Sequence, residues 1–266
     1  MKDWNNKKIK VAQSRGGVIV TAHPYDNLIR PTGVSWPPPE IVQKLYQSRQ
    51  VQAFDETNRR ICISGLGYYC DLQSIHSEDA ITWSVFGTVA RAPKDLLTEW
   101  LIELLGLLDL HETQATNPEI FLWRRIPHPD TLVSGGPEID VGILTENALI
   151  LVEAKWQSAV GTKQGKKRNK DQIQLRGEFI AKYGSKLFPK RTKMAVVGIS
   201  LFADAFTDTT PEGVVFRSLM WEQICNLHSH PQAEELARYY RWKKEHTRMA
   251  NNRLQGTANS AAAFES

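Results

Sequence analysis

The fold is decided by residues 136–156, which read GPEIDVGILTENALILVEAKW. The stretch from Ala148 to Val152 is apolar at every position, which is expected for a central strand covered on both faces. Residues 139–144 predict a preceding strand, and the short polar connection 145–147 joins the two strands as a hairpin. The segment therefore predicts a hairpin whose second arm lies inside a sheet.

Charged side chains end the apolar strand and occur again on the other arm. Because a strand alternates faces, Glu153 and Lys155 point the same way, and a tight turn brings the carboxylate of Asp140 toward Glu153. Charges where a core strand ends need partners or a metal ion, since unpaired they are costly. Two carboxylates and a strand carbonyl are the hard oxygen ligands that Mg²⁺ or Mn²⁺ prefers. The alternative is a salt bridge between Glu153 and Lys155 at an exposed edge, worth ~0–1 kcal/mol.

Helix and strand patterns continue on both sides of the hairpin. Ser77 is a good N-cap for a helix with acidic residues in its first turn. Further elements are predicted as a helix after Pro93, a strand at 120–123, a helix at about 171–183, a strand at 194–201 and a helix at about 231–249. This order predicts an α/β fold in which the last core strand joins through a crossover helix.

The chain is predicted to have three parts. Residues 1–76 form an N-terminal extension of unknown structure, in which residues 18–20 could be a short strand. Residues 77–250 form the α/β domain. Residues 251–266, rich in Ala, Asn and Ser, are predicted to be a mobile tail or a partner-contacting arm.

Composition limits the class of protein. The hydrophobic fraction of 41% and charged fraction of 23% are ordinary for a globular protein. No uncharged apolar run reaches the ~20 residues that a membrane span needs, so no membrane association is expected. Three cysteines, at positions 62, 70 and 225, fit neither a disulfide framework nor a zinc site. A cytoplasmic location is the natural expectation.

Positive charge is concentrated directly after the hairpin. Eleven Lys and Arg residues lie between Lys163 and Lys193, and only Asp171 and Glu178 oppose them, so the segment carries +9 in a chain of net charge +4. A solvated charged region would give the same pattern. Its position after the predicted acidic site favours a contact surface for phosphate backbones, formed by Lys166, Lys167, Arg168 and Lys170.

The motif EID followed by EAK resembles the active-site signature of the PD-(D/E)XK, restriction-endonuclease-like nuclease superfamily. The match falls on Asp140, Glu153 and Lys155. The resemblance covers about residues 77–226 and implies an αβββαβ core with a mixed central sheet flanked by helices. It also implies metal-dependent hydrolysis of phosphodiester bonds with Mg²⁺ or Mn²⁺, held by the two acidic residues.

Other positions match accessory features of that superfamily. Glu78, with Asp79 as second choice, matches an acidic residue on the preceding helix that contributes to the metal site. Gln172 matches an auxiliary glutamine on the following helix, and residues 220–224 resemble a Trp-containing segment after the last core strand. The chain departs from the motif because two residues separate Pro137 from Asp140. Glu138, which shares a face with Asp140, is therefore an additional auxiliary candidate.

The resemblance and the basic segment together predict a nuclease, with DNA favoured over RNA and a role in a defence or repair system. A homodimer or a larger protein complex is left open as the assembly. One alternative is a nuclease-fold subunit that binds DNA or helps to assemble a defence, repair or transposition complex. Another is an unrelated α/β enzyme acting on small phosphorylated substrates, which the basic segment disfavours.

Overall fold

The computed structural model describes residues 1–13, 17–47, 70–111, 113–131, 136–157 and 164–262. The strands within these ranges are β1 (Val11–Gln13), β2 (Ile19–Thr21), β3 (Glu119–Arg125), β4 (Glu138–Leu144), β5 (Ala148–Ala154), β6 (Lys193–Ser200) and β7 (Val215–Met220). The α-helices are α1 (Pro39–Gln47), α2 (Glu78–Thr82), α3 (Lys94–Leu107), α4 (Gln172–Phe179), α5 (Ser185–Leu187), α6 (Trp221–Cys225) and α7 (Ala233–Ala262). Single π-helical turns extend α2 over Trp83–Gly87 and α4 over Ile180–Gly184.

The chain divides into two compact units. Unit 1 comprises residues 1–84 and 234–266, and unit 2 comprises residues 85–233. The sequence placed a boundary at residue 76 and assigned the last helix to the α/β domain. The structure groups α7 with the N-terminal residues because, for example, Tyr239 donates a hydrogen bond to the Asn27 carbonyl at 2.9 Å.

The core of unit 2 is a five-stranded mixed sheet in the order β3-β4-β5-β6-β7. The pairs β3/β4 and β4/β5 are antiparallel, whereas β5/β6 and β6/β7 are parallel. All seven residues of β5 are buried, as its apolar sequence predicts for the central strand. The α/β class, the hairpin and the crossover through α4 are thus confirmed.

One face of the sheet packs against α4. Leu149 and Leu151 of β5 belong to a buried cluster that includes Ile173, Phe179 and Ile180 from α4 and its extension. A side chain at position 142 of β4 would not fit, because a Cβ on Gly142 would lie 2.0 Å from the ring of Phe121 on β3. The Phe121 ring takes that space, so close packing of this face depends on the glycine.

Several features differ from the sequence-based predictions. β7 was not predicted, because its sequence VFRSLM mixes polar and apolar residues at a sheet edge. Helix α7 continues to Ala262, beyond the predicted end near Met249, and the mobility of the tail stays a prediction. Cys70 and Cys225 are buried thiols, and Cys62 lies outside the described residues. No helix in the described part of the chain is long and apolar enough to cross a membrane.

Candidate functional site

The register of the β4/β5 hairpin brings the two predicted carboxylates to one place. Gly142 pairs with Leu151 and Val141 pairs with Val152, so Asp140 and Glu153 come next on the two strands. Residues directly opposite each other in an antiparallel pair share a face. Both carboxylates therefore lie on the side of the sheet that α4 covers.

Glu153 is fully buried and is held by two cations. Its Oε2 accepts a hydrogen bond from Nη2 of Arg176 at 2.8 Å, and its Oε1 lies 2.8 Å from Nζ of Lys155. The second contact is an ion pair by distance only, because Oε1 accepts no hydrogen bond from any described residue. Glu153 lies on the central strand and Lys155 directly follows it, with side chains 1% and 11% exposed, so the pair is not the exposed edge salt bridge that the sequence allowed.

Asp140 is partly exposed and is fixed by the neighbouring strand. Its Oδ2 accepts a hydrogen bond from the backbone N–H of Ala154 at 2.7 Å. Burial, followed by the negative charge of Glu153, raises the pKa of Asp140 well above its usual value. The charge of Lys155 and the Ala154 N–H oppose that rise without cancelling it.

Lys155 follows the last residue of β5, and its backbone is tied on both sides. Its N–H donates to the carbonyl of Ile199 at 2.7 Å, and its carbonyl accepts from Nε1 of the buried Trp221 at 2.9 Å. The Trp-containing segment that the sequence singled out thus contacts the residue after the central strand. The Nζ of Lys155 pairs with Glu153, and the Lys155 side chain is 11% exposed.

Arg176 was missed as a site residue and counted only as part of the basic segment. It is 1% exposed, and its Nη2 also donates to the carbonyl of Glu138 at 2.6 Å. Its Nε and Nη1 donate to no described residue. A sequence signal existed: Ile173, Arg176 and Ile180 have the i, i+3, i+7 spacing of one helix face, and a charged residue in such an apolar stripe needs a buried partner.

β3 carries a strained residue beside the acidic pair. Trp123 has φ 54°, a conformation that is unusual for a bulky residue. The β3/β4 register runs through Leu122↔Val141 and Arg124↔Ile139, so Trp123 falls opposite Asp140, where the pairing is interrupted. Strained backbone of this kind is found preferentially at functional sites.

The auxiliary candidates lie in different places. Glu138 starts β4, and its carbonyl, which belongs to the backbone, contacts Arg176. Gln172 is the first residue of α4, one turn before Arg176 and on the same helix face. Glu78 belongs to unit 1, where its charge raises the pKa of Lys243 against the larger effect of burial. Asp79 pairs with Lys44 at 3.3 Å. A metal-binding role for Glu78 stays a prediction.

The predicted phosphate-contacting residues fall on a turn closed by the Gln164↔Lys170 bridge. Lys166, Lys167 and Arg168 are exposed on this turn. Lys170 differs because its Nζ lies 2.5 Å from Asp130 and 2.6 Å from Glu178, and these two hydrogen bonds raise its pKa. Three of the four cations thus present their charge to solvent, and the fourth holds two carboxylates together.

The donor chemistry at the acidic pair fits a hard divalent cation. Oε1 of Glu153 is buried and accepts no hydrogen bond from any described residue, so it can accept a further polar partner beside its ion-pair contact with Lys155. Among the described residues, no three Asp, Glu, His or Cys side chains form a group that could hold a metal ion. Two carboxylates such as those of Asp140 and Glu153, together with several waters, are a ligand set that Mg²⁺ commonly takes.

Comparison with known proteins adds no relative, since no family model, curated protein or solved structure matches this chain.

Proposed function

We propose that this chain is a divalent-metal-dependent nuclease with a restriction-endonuclease-like core. The observation that carries the proposal is the meeting of Asp140, Glu153 and Lys155 where the central hairpin ends, on the face covered by α4. The motif resemblance and the element order from α2 to β6 support the same core. The mixed sheet, antiparallel through β5 and parallel beyond it, agrees with that assignment.

Asp140 and Glu153 would hold the metal ion, Mg²⁺ or Mn²⁺. When bound there, such an ion supplies an activated water and neutralises charge on the phosphoryl oxygens in the transition state. Asp140 must lose its proton to act as a ligand, and the Ala154 N–H and Lys155 favour that loss. Arg176 fixes the Glu153 carboxylate through Oε2, which leaves Oε1 directed toward Lys155.

Lys155 is the residue best placed to act on the attacking water. Its ammonium pairs with Glu153, and two backbone hydrogen bonds fix the main chain from which the side chain extends. An ammonium group there orients a water molecule through a hydrogen bond and offsets the negative charge that develops on the phosphate. Burial of Glu153 strengthens its attraction for Lys155 because the local dielectric constant is low, and this attraction holds the ammonium in place.

The substrate proposed is nucleic acid, with DNA favoured over RNA. Lys166, Lys167 and Arg168 supply exposed positive charge in the connection between the central strand and α4. Contacts of this kind bind phosphates of any sequence. The exposed turn is therefore suited to holding the backbone, while Asp140, Glu153 and Lys155 carry out hydrolysis.

A second candidate is a DNA-binding or assembly subunit that keeps the nuclease fold without cleavage. The observation favouring it is that Glu153 already pairs with both Lys155 and Arg176. A bound cation would have to share this carboxylate with two positive side chains. This candidate predicts DNA binding with no cleavage in Mg²⁺ or Mn²⁺.

The test is cleavage of supercoiled plasmid by the full chain in Mg²⁺, Mn²⁺, Ca²⁺ and EDTA. Asp140→Asn, Glu153→Gln and Lys155→Met should each lower the rate by at least ~10²–10³-fold, since each removes a ligand or the water-orienting cation. Glu212→Gln, at an exposed loop position, is the matched control and should cleave like the unchanged protein. Undiminished cleavage in excess EDTA, or full activity in a folded Asp140→Asn variant, would contradict the mechanism.

A further inference from the structure

A cavity of about 490 Å³ in unit 2 is built from the elements that carry the candidate site. Its walls come from residues 127–129, Thr131 and Gly136, which precede β4, and from α4 with its extension and the following Leu187. Gly136 in the lining precedes Glu138 by two residues, and Phe179 follows Arg176 by three. Its size and mainly apolar lining are those of sites that bind small organic groups.

Two aromatic rings form part of the wall. The ring centroids of Phe179 and Tyr183 lie 5.8 Å apart with an interplanar angle of 43°. Phe179 is buried, whereas Tyr183 is half-buried and so keeps accessible surface in the cavity. A planar ligand can stack on an aromatic ring of this kind, and nucleobases of any identity do so.

A neutral polar group completes the lining. Nδ1 of His128 accepts a hydrogen bond from the Asp130 N–H at 2.9 Å, which places the ring proton on Nε2. Burial lowers the pKa of His128 although Glu178 and Asp130 oppose the change, so the ring is neutral near pH 7. Lys170 bridges the carboxylates of Asp130 and Glu178, so one of their two negative charges is compensated beside the cavity.

Two exposed lysines are neighbours of lining residues. Lys182 is exposed, and its Nζ lies 5.6 Å from the centroid of the Tyr183 ring. Lys186 is exposed next to Leu187, which lines the cavity and is itself 55% exposed. An apolar, aromatic interior below exposed cations matches a base attached to a phosphate backbone.

We propose that this cavity takes one unpaired nucleobase of a nucleic-acid strand, stacked on Tyr183, with the adjoining phosphate held by Lys182. The proposal rests on the proposed function and assigns a substrate-positioning subsite to it. Stacking does not discriminate strongly between bases, so the subsite selects unpaired nucleotides without selecting a sequence.

The experiment measures binding in EDTA, where no cleavage is expected, with the full chain. The probe is a single-stranded thymidine oligonucleotide carrying one 2-aminopurine, whose fluorescence falls when the base stacks on an aromatic ring. Tyr183→Ser should weaken binding ~5–100-fold and restore the fluorescence, whereas Tyr183→Phe should keep both signals. Phe202→Ser, which removes an exposed aromatic elsewhere in unit 2, is the matched control and should change nothing.

A second pair of variants guards against misfolding of the Tyr183 variant. Leu187→Asp places a negative charge at the rim and should weaken binding, whereas Ile102→Asp alters a similarly exposed residue away from the cavity and should not. The subsite would be overturned if binding and quenching were unchanged in both Tyr183→Ser and Leu187→Asp. It would also be overturned if the free 2-aminopurine nucleotide bound with the same affinity as the oligonucleotide. Plasmid cleavage in Mg²⁺ is measured separately, so failure of the subsite proposal can be distinguished from failure of the proposed function.

Discussion

Replacing Arg176 by methionine should destabilise unit 2 by removing a charge rather than by removing volume. Glu153 is fully buried and has two cationic partners, of which only Lys155 would remain. Removing one partner of a buried ion pair costs about 3–5 kcal/mol. Because Lys155 stays 2.8 Å from Oε1 and methionine suits the apolar stripe with Ile173 and Ile180, we expect a loss near the lower end, about 3 kcal/mol.

The double variant Glu153→Gln/Arg176→Met separates charge from packing. If the cost arises from an uncompensated carboxylate, the second substitution should recover most of the lost stability, because replacing both members of a buried pair is often nearly neutral. Urea unfolding at pH 7, followed by fluorescence and by amide exchange of β5, measures each free energy of unfolding. The matched control is Asp109→Asn, which removes the exposed carboxylate that pairs with Arg217 at 3.6 Å, so its change should be about 1 kcal/mol or less.

Two outcomes would refute this reasoning. Arg176→Met could prove no more destabilising than Asp109→Asn, which would mean that Glu153 does not depend on its buried partner. Alternatively, the double variant could be as unstable as Arg176→Met alone, which would place the effect in packing of the α4 face.

Three further predictions concern pH, substrate and packing. Burial lowers the pKa of Lys243 to about 7, so the cost of burying its charge destabilises the fold fully below pH 7 and disappears as pH rises toward 10.5. Relative to Lys243→Met, the free energy of unfolding measured in urea should therefore rise by up to about 1.4 kcal/mol per pH unit from pH 7 to 10. Parallel pH profiles of the two proteins would contradict this. Gly142→Val should cost about 1–3 kcal/mol or more, because its Cβ overlaps the Phe121 ring; a thermal midpoint equal to that of the unchanged protein would refute the overlap. Neutralising the three exposed cations of the 166–168 turn should reduce the slope of the logarithm of the DNA-binding constant against the logarithm of salt concentration by about 2–3, as measured by fluorescence anisotropy. An unchanged slope would assign the contacts elsewhere.

The hairpin could be predicted because its information is local. The apolar run of β5, the short polar turn and the charges at its end lie within 21 residues, and their alternation determines which side chains share a face. Ser77 was likewise predictable as a helix N-cap, and it accepts a hydrogen bond from the Ala80 N–H at 3.1 Å.

The missed features depend on residues that are distant in sequence. Arg176 contacts Glu153 across 23 positions, and in the sequence it is hidden among ten other cations of the basic segment. Lys170 looks equivalent to its neighbours until Asp130 is brought beside it by the fold. Strand β7 gains its place from pairing with β6 rather than from its own mixed pattern. Charge and periodicity in the sequence do not by themselves identify contacts between residues that are distant in the chain.

The division of the chain into units has a consequence for its biosynthesis. Unit 2 is one continuous stretch, so its sheet can pair as soon as residue 233 has left the ribosome. Unit 1 is interrupted, and the ring of Trp4 packs edge-on against that of Trp242 on α7, with the ring centroids 5.2 Å apart. Trp4 is translated before the whole of unit 2, so this contact within unit 1 forms only after α7 has emerged.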